Sequence, residues 1–280
     1  MAVFRDFDQA TLDRLYNPRL LAPTATATIG RYTAKSRNVA AQFRCIRDLA
    51  YGSAPEEKLD LVLPAKPNAA PVLLFLHGGQ WQLLSKEDSL FPAPPFVERG
   101  IIFAAASFGT VATAPLETLV SQARRALDWL IANVSPHGGD PERIVIAGHS
   151  SGAHLAAMLA VTEPARLKGA VLVSGLYDLE PVRLSYRNEV LKLDGARAAA
   201  MSPLRHLPTQ GCRAVVATAE TDTSEFIRQG AEFANAWGNR VAPVTRLHVM
   251  GQDHFTLLET LGDPASPLGE ATLALLGAKA

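Results

Sequence analysis

The stretch that most constrains the fold is Gly148-His149-Ser150-Ser151-Gly152. It reads G-x-S-x-G and lies between an apolar strand pattern, Arg143 to Ala147, and a helical one, Ala153 to Val161. The pentapeptide alone would fit an ordinary turn. Its place between strand and helix points to a nucleophile, because a serine on such a turn is held out at the top of a sheet. The two glycines relieve crowding where a Cβ would clash, and the first free N–H groups of the following helix face the site of attack. A serine hydroxyl is a weak nucleophile at neutral pH. It needs a base, a group that orients the base, and donors for a developing oxyanion.

Val72 to Leu76 is a continuous apolar run, the pattern of a strand buried on both faces, and it leads into His77-Gly78-Gly79-Gln80-Trp81. Glycines at the carboxyl end of a central strand let the backbone approach a ligand, so the N–H groups of Gly79, Gln80 and Ser151 are the expected oxyanion donors. A second His-Gly-Gly, His137 to Gly139, follows a helix and precedes a strand, which places it at the opposite end of the sheet. Of the seven histidines, His254 directly follows the last strand pattern and is the expected base. His248 lies within that strand, and His149 is expected to point away across the turn. His154 falls on the following helix, and His206 sits in a Pro-flanked loop. The acid is expected between serine and histidine in the chain. Asp222, in the loop after Arg213 to Ala219, is the first choice, with Asp178 and then Glu220 behind it. The order Ser150, Asp222, His254 is that of the α/β hydrolases.

Apolar strand patterns recur near 43–50, 59–63, 72–76, 101–106, 143–147, 169–174, 213–219 and 244–250, with helical patterns between most of them. They predict an α/β fold: a mostly parallel eight-stranded sheet with helices on both faces, its first two strands antiparallel. Residues 41–280 form the main domain, which is long enough for one large core. Residues 1–40, with a helical stretch from Gln9 to Tyr16, form an amino-terminal arm or partial lid.

Basic and acidic residues balance at 27 each. No basic stripe suggests nucleic acid, no apolar run reaches membrane-spanning length, and the charged first twenty residues argue against a signal peptide. Two cysteines in strand patterns suit a reducing, cytoplasmic setting. Histidine and cysteine spacings match no metal motif, so neither metal nor cofactor is expected. The expected partner is a small-molecule substrate, and a homodimer is left open.

Together these motifs resemble the serine-dependent kynurenine formamidase (arylformamidase) branch of the α/β hydrolases. The resemblance rests on His77 to Trp81, Gly148 to His154 and Asp253 to Phe255. It extends to Tyr16-Asn17-Pro18-Arg19, to Tyr51-Gly52 with Lys58-Leu59-Asp60, and to Asp222 through Phe226 to Gln229. Two positions depart from the family pattern: Ser151 stands where alanine is usual, and Ser107-Phe108-Gly109-Thr110 replaces Asn-Tyr-Arg. The resemblance implies a metal-independent Ser-His-Asp hydrolase of a small acyl amide, with an aryl formamide favoured. Carboxylesterase activity is the alternative, and a non-catalytic binding protein on the same fold is the third reading. Trp81 and Phe255 are expected to wall the pocket or to support its loops, and Phe108 to stand at its rim. Ser151 is expected to contribute only its backbone N–H.

Overall fold

A computed structural model describes residues 1–278. Eight strands form one sheet: β1 (Arg44–Ala50), β2 (Lys58–Leu63), β3 (Ala70–Leu76), β4 (Ile102–Ala106), β5 (Gly139–His149), β6 (Gly169–Val173), β7 (Arg213–Ala219) and β8 (Val244–Val249). Their order is β1-β2-β4-β3-β5-β6-β7-β8. β2 runs antiparallel to both neighbours, and every later pairing is parallel. Strands β3, β4, β6 and β7 and the Ile144–His149 part of β5 are buried almost end to end, as expected where both faces are covered.

The main helices are α1 (Gln9–Leu15), α2 (Ala25–Gln42), α3 (Leu116–Asn133), α4 (Ser151–Thr162), α5 (Ser224–Arg240) and α6 (Pro267–Leu275). The period-2 alternation of the strands divides the core. Leu74, Ile146, Leu172 and Val216 face α3, α4 and α5, while Phe75, Val145, Val171 and Val215 face α2 and α6. Among the described residues no helix is long and apolar enough to cross a membrane.

Register aligns the strand ends that matter. Leu76 pairs with Gly148, His149 with Val173, Val173 with Ala217, and Ala219 with Val249. The loops after β3, β5, β7 and β8 therefore emerge at one edge, where open parallel sheets place their sites.

The amino-terminal segment differs from expectation. It contains α2 as well as α1, and the expected break at residue 40 falls inside α2. The buried stripe of α2 is Ala25, Thr28, Tyr32, Ser36 and Val39, so two of its five positions are polar and its apolar periodicity is weak. Ser36 is buried usefully, since its Oγ accepts the N–H groups of Leu90 and Phe91 at 3.0 Å each. The arm is tied down at Tyr16. That hydroxyl donates to Glu225 (2.8 Å) and accepts from Gln229 (2.8 Å), and Arg187 Nε donates to the Tyr16 carbonyl at 2.7 Å. The loop beyond β3 is pinned by Lys86, whose buried ammonium meets Asp48 and Asp60 at 2.9 Å and Glu87 at 2.6 Å.

Candidate active site

Ser150 sits at the β5–α4 turn with φ 54° and ψ −119°, a region that non-glycine residues rarely occupy. The packing there is tight enough to demand glycine on both sides. A Cβ at Gly148 would come within 2.3 Å of the Gly152 carbonyl, and one at Gly152 within 2.1 Å of the Leu76 carbonyl. The strained turn directs the hydroxyl at His254: Ser150 Oγ lies 3.0 Å from His254 Nε2.

On the far side of the ring, His254 Nδ1 lies 2.6 Å from Asp222 Oδ1. The other carboxylate oxygen accepts from Ser174 Oγ (2.5 Å) and from the Ala219 N–H (2.8 Å). Burial pushes the Asp222 carboxyl up. The adjacent His254 ring and the hydrogen bonds from His254, Ser174 and Ala219 outweigh that effect and hold it below the ordinary carboxylate range. With a carboxylate at Nδ1, the proton sits there, and Nε2 is left to accept from Ser150. Phe226 closes over the ring edge-on, its centroid 4.7 Å from that of His254.

Beside the serine, the loop after β3 turns back on itself. Gly79, Gln80 and Trp81 all have positive φ (107°, 59° and 58°), and the Gly79 carbonyl takes the N–H groups of Gln82 and Leu83. Gly79 has no substitute, because a Cβ there would meet the Leu83 carbonyl at 2.1 Å. The N–H of Trp81 donates to Ser151 Oγ at 3.1 Å, which staples this loop to the start of α4.

Ser150, His254, Gly79 and Gln80 share a cleft of about 260 Å³. Leu83, Leu84, His149 and Phe255 complete its inner wall. Asn17, Pro18, Arg19 and Tyr32 enter from the amino-terminal segment, and Tyr186 and Arg187 from the insertion between β6 and β7. Among the described residues no group of three or more His, Cys, Asp and Glu could hold a metal ion.

Comparison with known proteins places this arrangement. The chain is 32% identical to the kynurenine formamidase of Danio rerio over 298 residues, covering 99% of both chains. The chain belongs to the kynurenine formamidase family. Residues 59–176 match the BD-FAE family, and residues 119–262, which carry Ser150, Asp222 and His254, match the prolyl oligopeptidase family. A candidate thioesterase from Silicibacter sp. superposes with a TM-score of 0.84 at 26% identity, covering 95% of this chain and 99% of that one. EstE1, a carboxylesterase cloned from a metagenomic library, shares the fold at TM-score 0.69 and 19% identity over 90% of this chain and 95% of its own. The protein is thus a hydrolase of the α/β class, with an eight-stranded sheet.

Within this family member, several expectations need correction. Phe255 lines the cleft, but Trp81 and Phe108 do not. Trp81 is 1% exposed. Its Nε1 donates to His154 Nδ1 at 3.3 Å, while His154 Nε2 donates to the Met201 carbonyl at 2.8 Å. The indole is thus the inward anchor of its loop, because a buried N–H needs a partner and His154 supplies it. Phe108 stacks on His77, with ring centroids 4.1 Å apart and planes 6° apart, and is likewise packing. Ser151 contributes more than an N–H, since its Oγ holds Trp81.

His149 does not point away. Its Nε2 donates to the His254 carbonyl at 2.8 Å, and the two rings lie 4.9 Å apart. Burial, then the neighbouring His254, push His149 down to about 3, so it is a neutral strut under the His254 ring. The alternative acids have other partners. Asp178 pairs with Arg205 at 3.3 Å, and Glu220 accepts the Gly251 N–H at 2.6 Å. Arg187 was not foreseen at all, because nothing in Tyr186-Arg187-Asn188 marks it as buried.

Proposed function

We propose that this hydrolase cleaves N-formyl aryl amides, N-formylkynurenine among them, through a formyl ester on Ser150. The observation that carries the mechanism is the unbroken relay from Ser150 through His254 to Asp222, at 3.0 and 2.6 Å, opening on the cleft. Ser150 Oγ attacks the formyl carbon as His254 Nε2 takes its proton, and Asp222 holds the imidazole and stabilises its charge. The N–H groups of Gly79, Gln80 and Ser151 receive the oxyanion. His254 returns the proton to the departing amine. It then takes a proton from water as the water attacks the formyl ester, and hands that proton to Ser150 Oγ as the acyl–oxygen bond breaks and formate leaves. A formyl group suits the tight turn of Gly79 to Leu84, and an aryl amine leaves more readily than an alkyl one. Phe255 offers the ring a face. Asn17, Pro18, Arg19 and Tyr32 line the cleft, which supports reading the amino-terminal segment as a partial lid. The two free cysteines, Cys45 and Cys212, suit the cytoplasmic setting in which we place the enzyme.

The test is a series of p-nitrophenyl esters of rising acyl length beside N-formyl and N-acetyl anilides. The kcat/KM should be highest for formyl and fall with each methylene, by about 10- to 200-fold at the first step. If medium-chain esters are best and every anilide is inert, the enzyme is a carboxylesterase.

A further inference from the structure

The cleft contains a positive charge that the proposed chemistry does not use. Arg187 is 3% exposed, and both of its terminal nitrogens are buried without a hydrogen-bond partner in the chain. Nε donates to the Tyr16 carbonyl at 2.7 Å, and the Tyr186 hydroxyl lies near the guanidinium without closing off its two terminal nitrogens. Among the described residues no carboxylate forms an ion pair with this guanidinium, although most other buried or half-buried charges are paired. Buried Lys86, for example, meets three acids. The face of Phe226 lies 5.8 Å from the guanidinium carbon and offsets part of the charge. Burial pushes Arg187 down from its ordinary pKa, and Tyr186 and Tyr16 oppose that only in part. Leaving a charge desolvated and unpaired costs several kcal/mol. Such a residue persists where something else supplies the counter-charge.

The rest of the lining points the same way. The cleft is bordered by two arginines, Arg187 inside and exposed Arg19 at the mouth, and by no Asp or Glu. Asp222 stands behind His254, out of the lining. We propose that Arg187 anchors a carboxylate of the substrate, so that this cleft takes acyl amides or esters whose leaving group carries a carboxylate. The inference rests on the formamidase reading in one respect: a formyl group cannot carry the anion, so the leaving group must. A carboxylate fits better than a phosphate dianion. Two adjacent terminal nitrogens form a planar fork that matches two carboxylate oxygens, and one buried guanidinium neutralises one negative charge. Nε is already held by Tyr16, so the fork is oriented before substrate arrives. The arm that carries Tyr16 and Arg19 thereby takes part in selecting the substrate.

The experiment compares matched pairs. One is formanilide against formanilides bearing a meta-carboxylate directly, or on one or two methylenes. The other is phenyl acetate against the corresponding acetoxy acids. The readout is the ratio of kcat/KM within a pair, which a merely structural arginine would not move. The wild-type enzyme should prefer the carboxylate in at least one spacing by about 10- to 100-fold, the worth of a charge-assisted hydrogen-bonded pair. Arg187→Met should bring that ratio close to one, and Arg187→Lys should leave it in between. Benzoate should inhibit the wild type competitively and better than benzamide. An unchanged ratio in Arg187→Met overturns the proposal. So does a wild type with no carboxylate preference at any spacing and no discrimination between benzoate and benzamide; this arm decides the matter if Arg187→Met does not fold. If all formanilides are inert while the acetoxy acids are preferred, the formamidase reading fails and the carboxylate anchor stands.

Discussion

Asp222→Asn is the substitution whose outcome the structure specifies most closely. The new amide has one oxygen and one NH2 to place where the carboxylate had two acceptors. Oδ2 accepts the buried N–H of Ala219, at 2.8 Å, and that N–H can only donate. The amide oxygen is therefore held at this position, and the NH2 group faces His254 Nδ1. That nitrogen must then accept, which moves the ring proton to Nε2, where it faces Ser150 and blocks proton removal. Flipping the amide to the productive orientation would set its NH2 against the Ala219 N–H. Leaving that donor unsatisfied costs about 1–3 kcal/mol, so only about one molecule in 5 to one in 160 would be competent. Those molecules would also lack the carboxylate charge that stabilises the imidazolium. The two losses together approach the about 10⁴-fold drop seen when a triad acid becomes an amide, about 5.4 kcal/mol of barrier. The assay is kcat/KM on the preferred substrate at neutral pH, with circular dichroism confirming the fold. Asp178→Asn, which breaks only the contact to Arg205 and its local bonds, should fall by much less. An Asp222→Asn enzyme within tenfold of wild type would refute the tautomer argument.

Three further expectations concern stability. His77, His149 and His154 are pushed by burial down to about 4, 3 and 4. The unfolded chain binds protons on these rings below about pH 6.5 that the folded chain refuses, so stability is full above that pH and falls towards pH 4, by up to about 1.4 kcal/mol per pH unit for each ring. Melting temperature against pH checks this, and His154→Gln should flatten the slope by about one proton; an unaltered slope would contradict it. Ser150 holds φ 54°. Ser150→Gly should therefore be more stable than Ser150→Ala by about 1 kcal/mol, against the usual order, and the reverse ranking would show that the turn is unstrained. Ser151→Ala frees the buried Trp81 N–H and should cost about 1–3 kcal/mol of stability, about 2–4 °C in Tm for each kcal/mol; an unchanged Tm would mean the loop is held by other contacts.

What could be read in the sequence follows from how local each signal is. The strands were legible because a parallel sheet covered on both faces leaves near-continuous apolar runs, as in Val72 to Leu76 and Arg213 to Ala219. Ser150 and Asp222 could be singled out because they lie in the turn or loop after such a run, and His254 because it lies in the short loop after the last strand, although that edge strand alternates with Thr245, Arg246 and His248. The misplaced residues depend on which way a side chain turns. Trp81 and Phe108 lie beside the site but turn inward, towards His154 and His77. His149 was expected to point away, yet it packs beneath His254, where its Nε2 meets the His254 carbonyl across a contact 105 residues apart in the chain. The helix Ala25–Gln42 was missed because its buried stripe includes Thr28 and Ser36. Arg187 could not be seen, since its burial is made by Tyr16 and Phe226, residues distant in the chain.

That Ser150 is the nucleophile is tested most directly by mass-spectrometric mapping of the site labelled by a fluorophosphonate. The expected result is a single adduct on Ser150, absent in Ser150→Ala and formed far more slowly in Asp222→Asn. An adduct on Ser151, or labelling that survives in Ser150→Ala, would contradict it.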